Sequence, residues 1–258
     1  MFAIYKKEMR SYFINPIGYV YLGIFLAISA LICCYTTLQA NSYSTSAYFT
    51  YMIFAFVILI PLLTMRSFAE ERKMRTEQML LTAPVTITGM VLGKYFAALT
   101  MFVGTVLASC INFIPLYIIA GEERASAGEY ANPVIGPNTA TLIGSLIGII
   151  LLGAAFIAIG IFVSSLTENQ LSAAVSTIGV IVFMVILGLV NQIGTEEEGT
   201  RLINNYVVRV VIDWISVLSR FSKFGYGLLD FSSLLYYVSL AAIFLFLTVR
   251  VYEKRRWG

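Results

Sequence analysis

Histidine is absent from the 258 residues, and charge is scarce: Asp, Glu, Lys and Arg together make up 12%, about half the share usual in soluble domains. Without histidine the chain lacks the commonest general base, the commonest neutral metal ligand and the usual partner of a nucleophilic Ser or Cys. Three cysteines form neither a disulfide framework nor a zinc-binding pattern. Cys33 and Cys34 lie in an apolar run and read as core filling. What is abundant is apolar: 59% of residues are hydrophobic and the mean hydropathy is +0.85. A chain of this composition has too little polar surface to fold in water, so lipid is the solvent for most of it. An ordinary cytosolic enzyme and a disordered chain are both excluded.

Gaps in the charge pattern show the organisation. No Asp, Glu, Lys or Arg occurs between Arg10 and Arg66, and a polar uncharged turn at 39–46 splits that stretch. Spans are expected at about 17–38, 48–65, 95–120, 139–166, 171–193 and 231–249. Roughly 20 residues at 1.5 Å each cross a hydrocarbon core of about 30 Å. The expected fold is an all-α polytopic membrane protein, a single transmembrane domain over 1–258 with six helices. The first apolar stretch is longer than a signal-peptide core and no small-x-small cleavage site follows it, so it reads as a retained helix. Six spans put both termini on one side. Twelve of the 17 basic residues fall at the N-terminus, after the second span and at the C-terminus, which predicts that both termini are cytoplasmic. The opposite side holds Arg124, Arg201, Arg209, Arg220 and Lys223 with most of the acidic residues. Within 194–230, Leu202, Ile203, Tyr206, Val210, Trp214 and Val217 follow a helical spacing. Asp213 interrupts a run already too short to cross. This segment reads as an amphipathic helix on the outer surface, with a re-entrant hairpin as the alternative.

The expected span interiors contain no Asp, Glu, Lys, Arg or His. Ion-coupled carriers and intramembrane proteases need such groups at membrane depth, so both are disfavoured. Gly89-Met-Val-Leu-Gly-Lys94 looks like a phosphate-binding loop but has one residue too few between the glycines, and Tyr95 stands where Ser or Thr is required. It reads as a helix start with a snorkelling Lys94. Any powered work must draw on another polypeptide. Small residues at Gly144 and Gly148, continued by Ala154 and Ala158, predict close helix packing within the chain or across a dimer. Pro61 and Pro115 could kink spans two and three, and Asn112 is a polar marker beside Pro115; these two could line a path.

The most informative stretch is 66–94. Thr76 is a candidate N-cap, Glu77 suits the positive end of a helix dipole, Met79, Leu80 and Leu81 supply apolar knobs, and Ala83-Pro84 ends the helix. The product is a very short helix, apolar at its tip and charged at its base, able to enter a groove of a soluble partner. A solvated loop is the plainer reading.

Three pieces of sequence resemble the permease subunits of ABC-2-type transporters, and more particularly the gliding-motility-associated permeases of that group. The strongest is Glu71-Arg72-Lys73-x-x-Thr76-Glu77-Gln78-x-Leu80-Leu81-Thr82-x-Pro84-Val85 followed by Gly93-Lys94, similar to the coupling-helix region between spans two and three. The others are 5–16, similar to an amphipathic connecting helix, and the region of the last span with Gly225-Tyr-Gly-Leu-Leu-Asp230, Tyr236-Tyr237 and Glu253-Lys-Arg-Arg-Trp257. One departure is Arg75, where relatives often carry Gly. The resemblance implies the membrane half of an ATP-driven exporter in the bacterial cytoplasmic membrane, not itself an enzyme. Two permease chains, identical or not, would pair above two ATP-binding subunits, which would hold the ATP and Mg; no cofactor would bind this chain directly. Leu80 and Leu81 would sit in the partner's groove, with Glu71, Arg72, Thr76, Glu77 and Gln78 setting its orientation and Lys6, Lys7 and Glu8 meeting it from the N-terminal helix. The alternative is an ATPase-coupled anchor or mechanotransmitting subunit acting on an envelope protein. Membrane lipids are expected partners in both cases and nucleic acid in neither.

Overall fold

A computed structural model describes residues 1–39, 43–78, 85–127, 136–192, 216–228 and 230–257. Among them are ten α-helices and no strand: α1 (Phe2–Ile14), α2 (Pro16–Cys33), α3 (Thr45–Thr64), α4 (Ala69–Lys73), α5 (Ile87–Ser109), α6 (Ile114–Ala127), α7 (Thr139–Leu166), α8 (Gln170–Gln192), α9 (Val217–Gly225) and α10 (Phe231–Trp257). Six helical segments are long and apolar enough to cross a membrane. The protein is an all-α, multi-pass membrane protein.

The centre of the bundle is α7. Its 28 residues carry no charge, and it packs against α10, α3, α9, α8 and α5. In lipid the tails are as apolar as the side chains, so close van der Waals packing, rather than escape from water, holds helices together. The small residues of α7 permit that approach. Gly144 and Gly148 face α9 and the turn that ends it, where an added Cβ would lie 2.9 Å from Gly227 Cα and 2.8 Å from Phe224 Cβ respectively. Gly153 faces the ring of Phe102 on α5, and Gly160 faces Thr64 on α3. The peripheral helices α2, α8 and α10 instead expose apolar stripes, such as Val20, Ile24 and Leu31, or Leu171, Val175 and Phe183.

Four sequence expectations change. Span three begins at Ile87, not 95, because Thr86 caps it by accepting a hydrogen bond from the Gly89 amide at 3.3 Å. Lys94 therefore stands in the second turn of a helix, and it is buried rather than snorkelling. Pro115 does not kink an otherwise continuous helix. The α-helix gives way to a 3-10 turn over Cys110–Phe113, and Pro115 is the second residue of the next helix, where its missing N–H costs nothing. Cys33 is core, but Cys34 is exposed, since adjacent helical residues point about 100° apart. The expected amphipathic helix near 201–218 lies almost wholly outside the described residues. The next helix, α9, is not laid on a surface: Val217, Leu218, Phe221 and Phe224 are buried against α7 and α8, and the Tyr237 hydroxyl donates to the Val217 carbonyl at 2.8 Å.

Candidate functional site: the charged cluster after the second span

Residues 66–78 leave α3, turn, and form the one-turn helix α4. Arg66 makes two hydrogen bonds to the Glu70 carboxylate, at 2.8 and 2.6 Å. The start of α4 has no cap of its own. Ser164, near the end of α7, supplies one: its Oγ accepts from the Phe68 and Ala69 amides, both at 3.1 Å, and donates to the Met65 carbonyl at 3.3 Å. A hydroxyl from a distant helix thus satisfies backbone donors that would otherwise be orphaned.

Lys94 reaches this turn from α5. Its side chain is 1% exposed. The ammonium donates to the Ser67 carbonyl at 2.6 Å and to Glu8 Oε1 at 3.1 Å, lies 2.9 Å from Glu71 Oε1, and sits over the Phe68 ring at 4.9 Å. Lys7 meets the same Glu71 oxygen at 3.4 Å. Two cations and two carboxylates balance, so the buried ammonium is compensated; alone it would cost several kcal/mol. Beside them, burial first and the Glu8 carboxylate second raise the pKa of Tyr12 above the ordinary phenol value.

A second cluster joins the same segment to the far end of the chain. Glu77 pairs with Arg255 at 3.1 Å and with Arg72 at 3.6 Å. Arg72 also reaches Glu168 at 3.3 Å and donates to the Leu166 carbonyl at 3.1 Å. Arg255 donates to the Ser165 carbonyl at 2.7 Å. Both guanidinium groups therefore sit on the last carbonyls of α7, the negative end of a long helix. Between the clusters runs a stack: Lys94 over Phe68, Phe68 against Tyr252 at 4.7 Å, and Arg255 over Tyr252 at 5.2 Å. Segment 66–78 is thereby fastened to α1, α5, α7, α10 and the α7–α8 connection.

Of the residues singled out in the sequence, Glu8, Glu71, Arg72 and Glu77 are brought together here, each with partners in this chain. Lys7 joins through Glu71, and Lys6, Thr76 and Gln78 are exposed. The Thr76 hydroxyl donates back to the Glu71 carbonyl at 3.2 Å. Leu80 and Leu81 lie outside the described residues. Arg75 has φ of +55°, and is the one non-glycine with positive φ among the described residues; the backbone there turns left-handed, a conformation that glycine adopts without a Cβ penalty. Gly144 and Gly148 are covered by α9 of the same chain. Asn112 is half-buried and donates to Ser29 Oγ at 3.0 Å, joining the 3-10 turn to α2, while Pro115 is exposed. Sequence reasoning missed Phe68, Ser164, Tyr252 and Arg255 as members of this cluster, and misread Lys94. The available signal was that Lys94 is the only cation between Arg75 and Arg124.

Residues 15–207 match the family described as ABC-2 family transporter protein. No curated protein matches the chain.

Proposed function

Since the chain belongs to the ABC-2 transporter family, and is thus a membrane permease component of an ABC system, we propose that it is the passive half of an ATP-driven exporter in the bacterial cytoplasmic membrane. Both termini and segment 66–94 face the cytoplasm. A separate ATP-binding subunit, which holds ATP and Mg, docks on this face, and a second permease chain completes the transporter. The observation that carries the reading is the fastening of 66–78 to five parts of the bundle. A force applied through segment 66–78 passes into α1, α5, α7 and α10 together rather than flexing a loose loop. Binding of the partner in its closed, nucleotide-bound form then favours one arrangement of the spans over another, and hydrolysis releases it; a ligand shifts such an equilibrium only through differential affinity for the two states.

The test is Leu80→Asp with Leu81→Asp. The pair should insert and fold as the parent does yet lose stimulation of the partner's ATPase by the membrane subunit. Retained stimulation overturns the assignment. In reconstituted vesicles, ATP-dependent flux is the expected result. ATP-dependent binding of an envelope protein without flux would replace export by a mechanical role.

A further inference from the structure

At the end of the bundle opposite the termini, a cavity of about 440 Å³ opens between α6 and the start of α7, lined by Tyr117, Ala120, Gly121, Arg124 and residues 136–139. Its volume lies within the range of ligand sites. Arg124 has no hydrogen-bond or ion-pair partner among the described residues. Its guanidinium packs on Gly136, where an added Cβ would stand 3.4 Å from Nη2 and where φ is +124°. A side chain at 136 would crowd the arginine, and no described residue pairs with its charge. Neither described carboxylate nearby faces it. Glu122 is two residues away and on the opposite side of the helix, and Glu123 takes a hydrogen bond from Tyr43, which raises that phenol's pKa.

Ile114, Tyr117, Gly121 and Arg124 form one stripe along α6, at spacings of three and four. Read outward, the stripe presents an exposed aliphatic side chain, an exposed aromatic ring, open space and a cation; Ile118 and Ile119 extend the apolar part. A phospholipid presents the matching order of acyl chain, interface and phosphodiester. Aromatic rings settle at that interface, and a guanidinium binds phosphate oxygens through paired N–H donors. We propose that this cavity binds the phosphodiester headgroup of a phospholipid from the leaflet opposite the termini, with Arg124 on the phosphate and the Ile114–Tyr117 face against the chain. The site needs neither nucleotide nor the ATP-binding partner.

The experiment is native mass spectrometry of the full chain, released from nanodiscs that contain phosphatidylglycerol as the probe and titrated with that lipid. Arg124→Gln should weaken the tightest lipid-binding step about tenfold, the loss of roughly one charge-assisted contact. Gly121→Leu should do the same by filling the cavity. It should fold normally, because a Cβ there meets nothing within 4 Å. Arg124→Lys should keep most of the binding. Equal retention by the parent and both disruptive variants overturns the proposal. Displacement of the lipid by millimolar inorganic phosphate does so too, since the site would then read a free anion rather than a membrane lipid.

Discussion

Lys94 has no access to water, so the neighbours that enclose it decide its worth. Replacing it with Met removes the cation from between Glu8 and Glu71 and leaves two partly buried carboxylates facing each other. The expected cost is about 3 kcal/mol, the lower end of the range for breaking a buried pair, because both carboxylates keep some exposure. Thermal unfolding in detergent should show the loss, and Lys94→Met combined with Glu71→Gln should recover part of it; additive losses would mean that the two do not interact. At Arg75 the strain lies in the backbone. Gly accepts φ of +55° without a Cβ penalty, so Arg75→Gly should be neutral or stabilise by up to about 1 kcal/mol, whereas β-branched Arg75→Val should destabilise by a similar amount. A lower melting temperature for the glycine variant would contradict this assignment.

Among the elements, α7 bears the tightest constraint. All four of its glycines leave less than 3.0 Å for an added Cβ. A Cβ at Gly153 collides with the ring of Phe102, which is held edge-on by Phe56 at 5.1 Å and by Phe25 at 6.4 Å, so the ring has nowhere to move. Gly153→Ala should cost about 1–3 kcal/mol as overpacking. Gly179→Ala on α8, where a Cβ meets nothing within 4 Å, should be neutral. Parallel melting curves separate the two outcomes, and equal effects would mean that α7 is not the packed centre. The break between α5 and α6 is of another kind. Four residues of 3-10 geometry let the chain continue past Ser109, and Asn112 is tied to α2 at that level.

For the whole molecule, the consequence of the two charged clusters is mechanical unity. The first and last helices, which are distant in sequence, meet at one short segment through Glu8, Lys94 and Glu71 on one side and through Glu77 and Arg255 on the other. If the second pairing transmits force, Glu77→Arg and Arg255→Glu should each reduce stimulation of the partner's ATPase, and the double swap should restore most of it. Failure of the swap to rescue, with both single variants folded, would show that coupling bypasses α10. Arg255 also serves the Ser165 carbonyl, so rescue should be incomplete.

Composition and charge spacing alone determine that the chain is helical, lives in lipid and crosses it six times. An apolar stretch of about 20 residues has few other ways to satisfy its backbone in hydrocarbon, and the charged segments mark where each crossing ends. The importance of 66–78 was legible only through its resemblance to a coupling-helix region, since its residues alone read more plainly as a solvated loop. Three-dimensional structure was needed to decide which partner each charge takes. Glu8 is 86 residues from Lys94, and Glu77 is 178 from Arg255; no local period relates them. It also decided that Ser164 caps a helix 95 residues away and that α9 fills the groove beside Gly144 and Gly148. Periodicity reports which side of a helix is apolar, but not what lies against it, because that depends on how separate helices pack together in space.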